Sequence, residues 1–190
     1  MFHSDWKKEV LTIPNALTLF RLVLIPVYVD IYMNATQMRD YFLAASILAV
    51  SCLTDMVDGK VARRFHMSST LGQILDPIAD KMTQFTLTLC LSLKYPVLQF
   101  VLILFVVKEG FQCIAGLASL RKGKILPGAL MAGKVCTTIL FVSLIILVLL
   151  PDLDPNIVNA IAVTDTAFLL VSFMNYIFAY YGKNAKTQDF

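Results

Sequence analysis

Charged residues are scarce in this chain. They make up 15% of 190 residues, against 58% hydrophobic, where a soluble domain of this size carries nearer a quarter. That shortage excludes an ordinary soluble fold. Histidine is rarer still, with two residues, and the four cysteines (Cys52, Cys90, Cys113, Cys136) show no paired spacing. A zinc site or a disulfide framework is therefore not indicated, and the cysteines read as small core residues. There is no internal repeat and no low-complexity tract. The first apolar run has no small-residue cleavage site and merges into a full span, so it does not read as a signal peptide. The net charge of +3 suits an anionic leaflet or an anionic substrate and gives no sign of nucleic-acid binding.

Long apolar runs are what the chain has in abundance. A helix needs about 20 mostly apolar residues to cross a bilayer core, and backbone groups in lipid must be satisfied internally. The sequence predicts an all-α integral membrane protein with six transmembrane helices at roughly 16–34, 41–63, 71–93, 96–119, 129–150 and 156–180. One domain is expected over 1–190. Residues 2–13 set Phe2, Trp6, Val10 and Ile13 at near-helical spacing among Asp5, Lys7, Lys8 and Glu9. They predict a short amphipathic interfacial helix before the first span. Asn34-Ala35-Thr36 fits a glycosylation sequon but lies tight against a span, and reads as chance.

Orientation follows from the basic connections. Lys7 and Lys8, then Arg63 and Arg64, then Arg121, Lys122 and Lys124, and finally Lys183 and Lys186 alternate with connections poor in basic residues. Positive loops sit on the cytoplasmic side. Both termini are thus expected in the cytoplasm, as an even number of spans requires.

Four acids stand out against this background. Asp55 and Asp58 lie near the cytoplasmic end of the second span, and Asp76 and Asp80 lie in the first turns of the third. Spacings of three and four put each pair on one helix face, so two facing helices would present four carboxylates at one depth. Such a set cannot all stay ionised without counter-charge, and Arg63, Arg64 and Lys81 are too few to neutralise it. An all-oxygen set suits a hard cation, and two Mg²⁺ or Mn²⁺ ions would clamp a diphosphate. Arg21, two turns inside the first span, either snorkels or faces the carboxylates or a substrate phosphate. Pro77 frees the carbonyl of Gln73 beside the acids. At least one of Lys108 and Glu109 is expected to face the bundle interior, and Asp165 has no role in this reading. An alternative from another class, a cation or proton transporter, fits less well. Its polar groups would be spread across the bilayer rather than gathered at one level.

Asp55-x2-Asp58-Gly59-x2-Ala62-Arg63-x8-Gly72-x3-Asp76-x3-Asp80 resembles the signature of the CDP-alcohol phosphotransferases, with eight fixed residues over 26 positions. The resemblance extends over nearly the whole chain. It implies an enzyme that takes a CDP-linked donor and an alcohol acceptor, forms a phosphodiester and releases CMP, and it suggests a homodimer. It further implies that Asp55, Asp58, Asp76 and Asp80 hold two metal ions, with Asp80 as general base. Asp58, Gly59, Ala62, Arg63 and Gly72 would border the CDP group.

The strings Leu75 to Lys81 and Ile13 to Arg21 are similar to those of bacterial phosphatidylglycerophosphate synthases, and almost as similar to cardiolipin synthases of the same fold. Gly133-Lys134-x2-Thr137 resembles a G-K-x-x-T stretch of the former. On this resemblance the donor is CDP-diacylglycerol and the acceptor glycerol 3-phosphate, with phosphatidylglycerol the alternative. Arg21, Lys108, Arg121 and Lys134 are the candidate acceptor-phosphate residues. Lys108-Glu109 departs from the Arg-Glu pair usual in the glycerophosphate enzymes, which removes bidentate phosphate recognition there.

Overall fold

A computed structural model describes residues 13–65, 70–121 and 131–185. Within them it describes the side chains other than those of 13, 14, 55–65, 70–74, 119–121, 131, 132, 134 and 181–185. The expected interfacial helix over 2–13 lies almost wholly outside the described residues. Six helices follow one another: α1 (Ile13–Met33), α2 (Met38–Phe65), α3 (Thr70–Lys94), α4 (Leu98–Arg121), α5 (Met131–Leu149) and α6 (Pro155–Ala185). Each coincides with one apolar run of the sequence.

Three of these helices are long and apolar enough to cross a membrane, with spans at Asn15–Met33, Leu98–Ala118 and Pro155–Tyr180. Val135–Leu149 is apolar but shorter. The reason α2 and α3 stand apart is visible in their sequence, which carries Asp55, Asp58, Lys60, Arg63 and Arg64, and Asp76, Asp80 and Lys81. Large apolar side chains such as Val23, Phe100, Ile114, Val163 and Phe178 are exposed. That distribution costs free energy in water and none in lipid. The chain is a membrane protein.

The chain forms two compact units, Met1–Cys90 and Leu91–Phe190. In the first, α1 packs along α2 through small residues, Ala44 and Ala45, that let the backbones approach. Tyr28 and Tyr32 stack at 5.6 Å, and Tyr41 meets Tyr32 edge-on at 5.7 Å. The α1–α2 turn is closed by its own polar groups. Asn34 donates to the carbonyl and carboxylate of Asp30. Asp40 accepts from the backbone N–H of Thr36 and Gln37, both at 2.9 Å, in the manner of an acid reaching back to a helix start. Those two donors hold the Asp40 carboxyl below its usual range. Helix α3 runs unbroken through Pro77.

In the second unit, α4 and α5 pack on α6. Phe111 meets Phe173 and Tyr180 edge-on at 5.4 and 6.1 Å. Leu140, Leu144, Leu147 and Leu169 are buried. Tyr95 donates to the carbonyl of Pro151 at 2.6 Å, tying the turn before α4 to the turn before α6.

Candidate functional site

The described part of the site begins with two acids one turn apart on α3. Asp76 and Asp80 share a face, with fully buried Ala79 beside them. Opposite them on α1 stand Thr18 and Arg21, three residues apart and both buried. Thr18 Oγ1 donates to Asp76 Oδ1, and Arg21 Nη1 donates to Asp80 Oδ1 at 2.7 Å. The partners are 58 and 59 residues apart in sequence, a nearly constant offset, so α1 and α3 run parallel with residue 18 level with 76. A three-residue step on one helix thereby matches a four-residue step on the other.

The electrostatics follow from burial. An arginine inside an apolar span is expensive unless a counter-charge meets it. Asp80 supplies that charge. Only 2% of the Arg21 side chain is exposed, against 48% of that of Asp80, so the pair is dry on the cationic side and open on the anionic side. The sequence left Arg21 three directions; its guanidinium is found on a carboxylate, and Arg21 joins the cations that balance the acid set.

The side chains of the other two acids, Asp55 and Asp58 of α2, are outside the described set, as are those of Ala62 and Arg63 of α2, Arg121 of α4 and Lys134 of α5; Gly59 of α2 and Gly72 of α3 fall in the same stretches. Among the described residues no three His, Cys, Asp or Glu side chains gather. What is described fits a hard cation in kind: two carboxylates one turn apart, a hydroxyl beside one of them, and no sulfur or imidazole.

The second unit contains Lys108. Its side chain is 2% exposed, its Nζ donates to Glu109 Oε1 at 2.6 Å, and it stands 5.8 Å over the ring of Tyr176. One of the adjacent pair does face inward. Gly133 is buried against the same tyrosine, such that an added Cβ would lie 2.8 Å from Tyr176 Oη. Thr137 donates back to the Gly133 carbonyl at 3.0 Å, so the glycine and threonine of the Gly133-Lys134-x2-Thr137 stretch close on one another. Asp165 is buried and accepts from Ser143 at 2.9 Å, joining α5 to α6.

Sequence reasoning missed Thr18 and Tyr176. Thr18 could have been found, since it lies one turn before Arg21 on the same face. Tyr176 carries no signal of its own in an α6 rich in aromatics.

The chain matches the CDP-alcohol phosphatidyltransferase family over residues 11–178. It is 32% identical over 166 residues to a probable phosphatidylglycerophosphate synthase of Mycobacterium tuberculosis, covering 86% of this chain and 78% of that protein. Over 70 residues it is 44% identical to a CDP-diacylglycerol–glycerol-3-phosphate 3-phosphatidyltransferase of Escherichia coli, 37% of this chain and 38% of the relative. A cardiolipin synthase (CMP-forming) and mitochondrial hydrolase fusion protein of Schizosaccharomyces pombe is 38% identical over 90 residues, 46% of this chain and 14% of its own length. With so large a part of the chain matched, and with paired acids where the signature sets them, this protein belongs to the CDP-alcohol phosphatidyltransferase family.

Proposed function

We propose that the chain transfers the phosphatidyl group of CDP-diacylglycerol to glycerol 3-phosphate, giving phosphatidylglycerophosphate and CMP. The observation that carries this reading is the pair of carboxylates on α3, held level by Thr18 and Arg21, with Asp80 open on one side. The choice of acceptor follows the names of the Mycobacterium tuberculosis and Escherichia coli relatives. Cardiolipin synthesis, with phosphatidylglycerol as acceptor, is the second reading, favoured by the match to the Schizosaccharomyces pombe protein.

Asp80 is the general base. Its carboxylate takes the proton of the acceptor hydroxyl as that oxygen bonds to the phosphorus bearing the diacylglycerol, and the bond from that phosphorus to the CMP oxygen breaks. Arg21 fixes the orientation of Asp80, and Thr18 that of Asp76. Asp55, Asp58, Asp76 and Asp80 are the residues that would hold two Mg²⁺ or Mn²⁺ ions. When bound, such ions supply charge neutralisation for the diphosphate and the leaving group, the main requirement of this kind of transfer. Asp58, Gly59, Ala62, Arg63 and Gly72 border the CDP group. Arg21, Lys108, Arg121 and Lys134 are the basic residues assigned to the phosphate of the acceptor.

The whole chain acts as one catalytic domain with six membrane crossings and an interfacial helix ahead of them. It works as a homodimer in a bacterial cytoplasmic membrane, with both termini and the acids on the cytoplasmic side, where a water-soluble acceptor and a lipid-anchored donor can meet. Purified protein given CDP-diacylglycerol, divalent metal and one of the two acceptors tests the reading through CMP release. CMP with glycerol 3-phosphate supports it. CMP with phosphatidylglycerol alone transfers the chain to cardiolipin synthesis, and no CMP with any alcohol removes the enzyme reading.

A further inference from the structure

Asp165 plays no part in the reaction as proposed. It lies inside the Pro155–Tyr180 span with 1% of its surface exposed, where a carboxyl is expensive. Its contact is with the neighbouring helix, since Ser143 of α5 donates to its Oδ1 at 2.9 Å.

That contact belongs to a regular seam. On α5, Gly133, Cys136, Leu140 and Ser143 step by three and four residues, and on α6 Asp165, Leu169, Ser172 and Tyr176 do the same. Such steps keep each set on one helix face. The two helices run antiparallel, because Ser143 meets Asp165 while Gly133 lies against Tyr176. These two contacts are about 15 Å apart along either helix axis, so one register holds over the whole stretch. It sets Cys136 level with Ser172 and Leu140 level with Leu169, all four of them buried.

Apolar residues do not fix such a register by themselves. Leucine against leucine is a contact without direction, and lipid gives no hydrophobic push between helices. A hydrogen bond is directional, and one polar residue can set the register of a coiled-coil seam. The effect reaches the far end of the seam, because sliding Asp165 along Ser143 slides Tyr176 along Gly133 by the same amount. Tyr176 underlies Lys108 Nζ at 5.8 Å, and Lys134 follows Gly133 directly. We propose that Asp165, through its bond to Ser143, is a positioning residue that sets the α5–α6 register and with it the places of Lys108 and Lys134. The proposal rests on the reading above that assigns both lysines to the acceptor phosphate.

The register is read by disulfide formation between native Cys136 and the thiol introduced by Ser172→Cys. Full-length protein in detergent is oxidised with copper phenanthroline, and the bond is mapped by mass spectrometry. Ready cross-linking is expected in the otherwise unchanged chain and with Asp165→Asn, whose amide oxygen still accepts from Ser143. Asp165→Leu is expected to slow it about threefold to tenfold, the worth of one hydrogen bond between membrane helices. The protein should stay folded, since leucine is cheap in that setting and Ser143 can bond to a carbonyl of its own helix. In CMP release, measured with Ser172 in place, Asp165→Leu should raise the KM of glycerol 3-phosphate by a similar factor. The KM of CDP-diacylglycerol should not move, and Asp165→Asn should match the wild type.

No cross-link in the otherwise unchanged chain, or an unchanged rate in Asp165→Leu, overturns the proposal. So does an Asp165→Asn protein as impaired as Asp165→Leu, a glycerol 3-phosphate KM that stays put, or an equal rise in both KM values. Should Asp165→Leu not fold, Ser143→Ala removes the same bond from α5 and is held to the same outcomes. If the wild type releases no CMP, the reaction reading has failed, and the cross-linking alone decides whether Asp165 sets the register.

Discussion

Arg21 Nη1 donates to Asp80 Oδ1 at 2.7 Å, joining a cation that is almost wholly buried to an anion that is half open. The two halves of this pair are not equivalent, and mutation should show it. Removing the acid takes from the buried guanidinium the carboxylate it donates to, and breaking a fully buried pair on one side costs about 3 kcal/mol. The openness at Asp80 lowers that to about 2 kcal/mol. Removing the arginine leaves a carboxylate that water can solvate, at about 1 kcal/mol or less. Asp80→Asn is therefore expected to destabilise the protein more than Arg21→Gln, as read by unfolding in a fixed detergent. The reverse order would mean that Asp80 is not the main counter-charge of Arg21.

Thr18 and Asp76 separate position from chemistry. Asp76→Asn keeps the shape and the hydrogen bond from Thr18 but removes the charge. It is expected to abolish CMP release with the protein still folded by unfolding midpoint and gel filtration. Thr18→Val keeps the charge and removes the donor. A hydrogen bond to a carboxylate is worth about 1.5–3 kcal/mol, so Thr18→Val should lower kcat by roughly tenfold to a hundredfold without abolishing it. Substantial turnover in a folded Asp76→Asn protein would deny that acid a place in the metal site.

Metal removal is the third test. An acid set without sulfur or imidazole binds hard ions through oxygen. EDTA should stop CMP release, and Mg²⁺ or Mn²⁺ should restore it fully. Activity that survives exhaustive chelation would place the chemistry on the side chains alone.

Much of this was legible in the sequence, because a membrane allows few solutions. Each apolar run became one helix, and acids spaced three and four apart had to share faces. Arg21 was expensive enough to demand a partner, but periodicity cannot say which helix supplies one. That is set by the parallel register of α1 on α3, a property of packing. The same limit hid Asp165, whose partner Ser143 lies on α5. Single-residue signals of cost could be read; the pairings that offset the cost could not.

Gly133 and Tyr176 offer a test of packing in the second unit. A methyl group on Gly133 would lie 2.8 Å from Tyr176 Oη and 3.2 Å from the ring carbon Cε2, so the ring has to move. That ring also underlies Lys108 Nζ, so moving it weakens a second contact. Overpacking of this kind costs about 1–3 kcal/mol, while alanine in place of glycine in a helix returns up to about 1 kcal/mol. Gly133→Ala alone should lower stability by about 1 kcal/mol. In a Tyr176→Phe background the hydroxyl is gone and only the ring edge remains close, so the same change should be neutral or stabilising. A four-variant cycle of unfolding free energies is then expected to show coupling of about 1 kcal/mol. Strict additivity would mean that the glycine is kept for something other than room for the tyrosine.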